Sequence, residues 1–231
     1  MALLRTIFFS LFLVLSFLVG TLLTLAIAAF TRSSKTFRHA AQIWSKALVL
    51  ASGSKLTVKG LENIPKDEPL IIVSNHQSAA DIIILLAAIP RYFRFVIKKE
   101  LFAVPIFGFY LRMADYVRLD REAGASSVKS LLKADVADAV LIFPEGTRSG
   151  SSDLLPFKKG SLFLVFNSKA RVLPVAINGS YKIVPKGSAV IKPTDVTISF
   201  GPPLDLTNYP RTKIGYEQAM GELRNSIEKM L

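Results

Sequence analysis

Two polar stretches interrupt an otherwise apolar chain: Asn75-His76-Gln77-Ser78-Ala79-Ala80-Asp81 and Phe143-Pro144-Glu145-Gly146-Thr147-Arg148-Ser149. The first offers an imidazole and, five residues on, a carboxylate. Asp81 accepting a hydrogen bond from one ring nitrogen of His76 would fix its tautomer and stabilise the imidazolium formed when the other nitrogen takes a proton. Five residues on a helix turn the side chain by about 500°, so the pairing requires His76 in a loop ahead of the first turn. Ser74, Asn75 and Ser78 supply capping chemistry suited to such an entry, and the competing reading is that His76 and Asp81 are merely polar residues at a helix start. The second stretch follows an apolar run: Pro144 ends the strand ladder, Gly146 allows backbone amides to turn toward an anion, and Arg148 offers a bidentate phosphate contact. An ordinary turn with a solvated Glu145 and Arg148 is the competing reading. A base beside an anion site is what acyl transfer to a phosphorylated alcohol requires.

Composition narrows the field. The chain has 231 residues, no cysteine, and His39 and His76 as its two histidines. Disulfides and thiolate metal sites are excluded, and two histidines are few for a zinc centre. A formal charge of +12 draws the chain to polyanions, either nucleic acid or an anionic membrane surface. The N-terminus favours the membrane, since Ile7 to Phe30 contains no charged residue and is long enough to cross or enter a bilayer core. A cleaved secretory signal ending near Ala26-Ile27-Ala28 is the rival, but the apolar run exceeds an ordinary signal core. Arg32, Lys35 and Arg38 outnumber Arg5, which places the downstream domain at the cytoplasmic face of an inner membrane. Gly20 leaves room for a bent, shallowly inserted hairpin instead of a span.

The elements that must position the two stretches follow from periodicity. Phe37, Ala40, Ala41, Trp44, Ala47 and Leu48 recur at helical spacing between Thr31 and Ala51, with Arg32, Lys35, Arg38 and Lys46 largely elsewhere on the circumference, as in an interfacial amphipathic helix. Residues 1–51 therefore read as membrane-anchoring helices and 52–231 as one catalytic domain. In that domain Leu56–Val58, Leu70–Val73, Phe95–Ile97, Tyr116–Leu119, Val140–Phe143, Val172–Ile177 and Val196–Phe200 are strand-like, with helices expected over Asp81–Ala88, Ser126–Ala137 and Thr212–Leu231. The alternation predicts an α/β domain with a largely buried mixed sheet flanked by helices. His76 then lies on a strand-to-helix loop at the carboxyl edge of the sheet, where ligand sites gather.

Taken together, the two stretches resemble the first and third motifs of the glycerophospholipid acyltransferases, specifically the 1-acylglycerol-3-phosphate acyltransferases. Lys98-Lys99-Glu100-Leu101 with Pro105 and Gly108 is similar to that family's Lys-Glu-Leu segment, Val117-Arg118-Leu119-Asp120-Arg121 to its second motif, and Leu173-Pro174-Val175-Ala176-Ile177 to its fourth. Asp115, where the second motif often begins with Gly, and Arg118, at a position usually apolar, depart from the pattern. The resemblance implies transfer of a fatty acyl group from acyl-CoA or acyl-carrier protein to the sn-2 hydroxyl of lysophosphatidic acid. It assigns catalysis to His76 and Asp81, and the acceptor phosphate to Arg121, Arg148, Lys98 and the loop Glu145-Gly146-Thr147. Glu145 itself would orient that loop or meet glycerol hydroxyls. It implies no metal and no cofactor beyond the thioester co-substrate. Its partners would be membrane lipids and not nucleic acid. The alternatives are another lysolipid or glycerol-3-phosphate as acceptor, and a noncatalytic membrane-anchored lipid-binding protein.

Overall fold

The computed structural model describes residues 2–31, 33–120, 139–168, 170–185 and 190–231. Helices α1 (Ala2–Thr31) and α2 (Ser34–Ser52) precede a domain in which β1 (Leu56–Lys59), β2 (Leu70–Ser74), α3 (Ala80–Ala88), β3 (Phe93–Lys98), α4 (Phe107–Met113), β4 (Val117–Leu119), β5 (Ala139–Ile142), α5 (Lys159–Asn167), β6 (Arg171–Asn178), β7 (Val196–Phe200) and α6 (Lys213–Glu228) follow in order. Every strand expected from the sequence is present, with ends shifted by at most a few residues. The helix expected over Ser126–Ala137 lies outside the described residues.

The seven strands form one sheet in the order β1-β7-β6-β2-β5-β3-β4. Strands β2 to β6 run parallel, while β7 pairs antiparallel with β6 and parallel with β1. Alternation along each strand divides the core in two. Leu70, Ile72, Phe95, Leu141, Leu173 and Val175 face α2, α3 and α4. Ile71, Val73, Val140, Ile142 and Val172 face α5 and α6. The chain leaves β2 through α3 toward β3 on one side, and leaves β5 through α5 toward β6 on the other. Right-handed crossovers in opposite directions put α3 and α5 on opposite faces, and the loops at the carboxyl ends of β2 and β5 diverge around a crevice. Both polar stretches emerge there, on adjacent strands.

Helix α1 is continuous through Gly20, so the chain does not turn back on itself there as a hairpin. It packs on the domain rather than standing away from it: the Ile191 amide donates to Thr6 Oγ1, the Trp44 indole donates to Ser16 Oγ, and the Phe17 ring lies 5.4 Å from Trp44 and 6.1 Å from Phe107. In α2, Arg38 is not on the polar side as its spacing suggested. It is buried, donating to the Ala114 carbonyl with its guanidinium over the Tyr92 ring. Its stem and head fill the gap between α2 and α4, which periodicity within one helix does not reveal.

Candidate active site

Strand β2 is apolar and wholly buried, and it delivers Asn75 to Ser78 as a loop before α3 begins at Ala80. In that loop His76 Nδ1 lies 2.8 Å from Asp81 Oδ2. The same carboxylate oxygen accepts the backbone amides of Gln77 at 2.7 Å and Ser78 at 2.9 Å. An oxygen already receiving two amide protons is an acceptor, so Nδ1 supplies the third proton and Nε2 is left with its lone pair. Asp81 is fully buried and the His76 side chain is 15% exposed, so one ring edge reaches solvent while its orienting partner does not. The imidazole stacks on the Phe143 ring at 4.0 Å and 16°. That contact fixes the ring plane from the second stretch.

The loop is held from three further directions. The capping roles expected of Ser74 and Asn75 are absent: Asn75 instead exchanges two hydrogen bonds with Ile177 of β6, its Oδ1 accepting at 2.7 Å and its Nδ2 donating at 2.9 Å, and Ser74 donates to the Asn75 carbonyl. Gln77 Oε1 accepts the Gly179 amide and the Ser180 hydroxyl. Ser78 Oγ accepts the Ala80 amide, a local capping contact of the kind expected of it. The amides of Ser149 and Gly150 donate to the carbonyls of His76 and Gln77 at 2.8 and 3.1 Å. The two polar stretches are thus laced together through backbone.

Glu145 is turned inward. It is 1% exposed, and its two carboxylate oxygens accept the amides of His76 at 2.8 Å and Leu155 at 3.2 Å. Burial raises its carboxyl above the ordinary range, against the opposing effect of those two amides. This geometry makes Glu145 a clamp between the loops and leaves no carboxylate oxygen facing a phosphate. Gly146 adopts φ 66°, and its amide closes the turn on the Phe143 carbonyl instead of pointing at an anion. A side chain there would crowd the Lys158 stem, which lies about 3 Å from the position of a Cβ. Thr147 and Arg148 are exposed at the loop tip. Arg224 of α6 ties down the returning strand of the loop, donating to the carbonyls of Leu154 and Leu155 at 2.9 Å each.

Lys98 is exposed at the end of β3, on the same carboxyl edge of the sheet, and Lys99 pairs with Asp120 at 3.0 Å. Arg121 lies outside the described residues. Asp115 has φ 58°, a left-handed conformation that glycine adopts freely and aspartate tolerates better than most residues. That explains both the preference for glycine there and the departure. The contributions of Asn75, Gln77, Phe143 and Arg224 were not legible as site features. Each acts through a partner more than 60 residues away, although a strand-end aromatic beside Pro144 could have flagged Phe143.

Two apolar cavities flank α3. One, of about 170 Å³, is lined by Phe9, Leu13, Leu48, Ala80 and Ile84 among others. The second, of about 140 Å³, lies between α1, α2, α4 and the sheet and reaches Phe95, which stacks against Phe143. Apolar space therefore adjoins the imidazole through a ladder of rings.

The Acyltransferase family matches residues 55–178. The chain is 29% identical over 179 residues to a 1-acyl-sn-glycerol-3-phosphate acyltransferase of Cocos nucifera, covering 75% of this chain and 58% of that protein. To a protein of the same description in Pseudomonas aeruginosa it is 32% identical over 208 residues, covering 86% and 79%. It is also similar to the crystal structure of the 1-acyl-sn-glycerophosphate (LPA) acyltransferase, PlsC, from Thermotoga maritima, with a TM-score of 0.86, 27% identity, and coverage of 99% and 95%. The chain spans about half the length of the plant relatives it matches.

Proposed function

Because the chain belongs to the acyltransferase family, we propose that it transfers a fatty acyl group from a thioester, acyl-CoA or acyl-carrier protein, to the sn-2 hydroxyl of lysophosphatidic acid. The product is phosphatidic acid, a step of phospholipid synthesis. The observation that carries this reading is the His76–Asp81 contact, which leaves Nε2 as a proton acceptor at the mouth of a crevice beside apolar cavities. Nε2 removes the hydroxyl proton as the oxygen attacks the thioester carbonyl. The C–O bond forms, the tetrahedral intermediate collapses, the C–S bond breaks, and the imidazolium returns its proton to the departing sulfur. No acyl-enzyme forms, and the thioester is a co-substrate rather than a resident cofactor.

Arg148, Arg121 and Lys98 hold the acceptor phosphate, with Thr147 at the loop tip, and Glu145 and Gly146 shape the loop that presents Arg148. Binding energy at the phosphate is thereby converted into placement of the hydroxyl. The cavities flanking α3 take acyl chains. An acceptor panel tests the assignment: lysophosphatidic acid should outperform glycerol-3-phosphate and lysophosphatidylcholine, and Arg148→Ala should raise KM for it about tenfold or more, the loss of one charge-assisted bidentate contact. Equal use of a lysolipid without a phosphomonoester would contradict it.

The membrane supplies that acceptor. Helix α1 leaves an apolar stripe uncovered: Leu4, Phe8, Leu11, Leu15, Val19 and Leu22 are exposed, while Thr6, Thr21 and Thr24 are buried toward the domain alongside Phe9. In water a helix would turn the other way; in lipid this is the stable orientation. Since α1 is fastened to the domain from Thr6 onward, it enters one leaflet of the cytoplasmic membrane lengthwise, with the domain on the cytoplasmic side.

A further inference from the structure

A recess of about 380 Å³ lies on the outer side of β4, apart from the His76 crevice, and is lined by Lys99, Arg112 and Arg118 together with Phe102, Asp115 and Tyr116. Its charges are uneven. Asp115 is engaged by the buried Arg94 at 3.2 Å and Lys99 by Asp120, whereas the Arg118 side chain makes no ion pair or hydrogen bond among the described residues and is exposed. Arg112 donates one bond to the Phe102 carbonyl and keeps further N–H groups. The Tyr116 hydroxyl is buried and has no hydrogen-bond partner among the described residues.

What surrounds the recess selects its occupant. Leu101, Ile106, Phe107, Phe109 and Met113 are exposed on the two elements that form its wall, and the Phe107 ring contacts Phe17 of α1. Exposed apolar side chains on the elements next to α1 therefore adjoin a cationic pocket. Hydrocarbon on one side and a cluster of guanidinium donors on the other is the profile met at the headgroup level of a leaflet. We propose that this recess binds the phosphate of an anionic membrane lipid, with Arg118 and Arg112 as its charged donors, and so fixes the depth and rotation of the domain on the leaflet. The inference rests on the membrane placement of α1 and not on the acyl-transfer reading.

The test uses the full chain in a non-ionic detergent, titrated separately with phosphatidylglycerol and phosphatidylcholine, with bound lipids counted by native mass spectrometry. The unmodified chain should prefer phosphatidylglycerol. Arg118→Gln, a change at an exposed side chain with no partner to lose, should weaken phosphatidylglycerol about fivefold and leave phosphatidylcholine unchanged, and Arg118→Lys should retain most of the preference. Arg148→Ala, which alters the acceptor site, should keep the preference, so failure here and failure of the acyl-transfer reading are seen separately. Equal affinity for the two lipids, or an Arg118→Gln chain that keeps its preference, overturns the proposal. An Arg118→Gln chain that binds lipid normally but loses only the use of an acidic carrier-protein donor would assign the recess to a protein partner and overturn it as well.

Discussion

In the proposed mechanism His76 is the base and the buried carboxylate of Asp81 orients it, with the His76 side chain 15% exposed. Replacing His76 by Ala removes the proton acceptor while leaving the Asp81 cap on Gln77 and Ser78 intact, so the fold should persist and kcat should fall by about 10²- to 10⁴-fold. Glu145 makes a different prediction. Its carboxyl is raised by burial, so the folded state binds the proton more tightly than the unfolded chain does. The stability linked to that proton is complete below the ordinary value near 4.5 and is lost as pH rises through the folded value. The melting difference between the unmodified chain and Glu145→Gln should therefore shrink as pH rises across that window and level off above it. A difference that grows with pH would contradict the raised value. Sequence spacing suggested the His76–Asp81 pair because both partners lie within five residues. It could not show that Glu145 faces inward, because its partners, the amides of His76 and Leu155, meet only after β2 and β5 are adjacent.

At the scale of elements, the carboxyl edge of the sheet is fastened by side chains that reach between strands. Asn75 pairs both polar groups of Ile177, a residue with no exposed surface. Asn75→Ala would orphan a buried N–H and a buried C=O, at a cost of about 1–3 kcal/mol each, and loosen the His76 loop from β6. Differential scanning calorimetry should show a lower Tm, accompanied by a fall in kcat; an unchanged Tm would mean the loop does not depend on this clamp. The strands were legible because parallel strands buried on both faces read as continuous apolar runs, and α6 because Leu223 and Ile227 follow helical spacing. The order of the strands was not. Nothing local tells β5 to insert between β2 and β3, yet that insertion is what brings the two polar stretches side by side.

At the scale of the whole molecule, the apolar segment announced itself by composition, but its attitude depended on contacts no window of sequence contains. A run of 22 residues from Thr6 to Ile27 is apolar enough to span a bilayer, yet its polar edge is tied to Ile191 and Trp44 of neighbouring elements. A span would drag the adjoining domain into hydrocarbon. Epitopes placed at the N- and C-termini should accordingly be accessible from the same side of sealed vesicles; an N-terminal epitope protected until the vesicles are opened would show that α1 crosses the bilayer instead.

The central claim is that this molecule acylates a lysophospholipid with His76 as the base. The direct measurement is phosphatidic acid formation from lysophosphatidic acid and acyl-CoA or acyl-carrier protein, followed in parallel for the purified unmodified chain and a folded His76→Ala chain. Product from the unmodified chain, reduced at least about a hundredfold in the variant, is the predicted result. Near-normal product from His76→Ala would contradict the mechanism, and no product from the unmodified chain with either donor would contradict the assignment of the reaction.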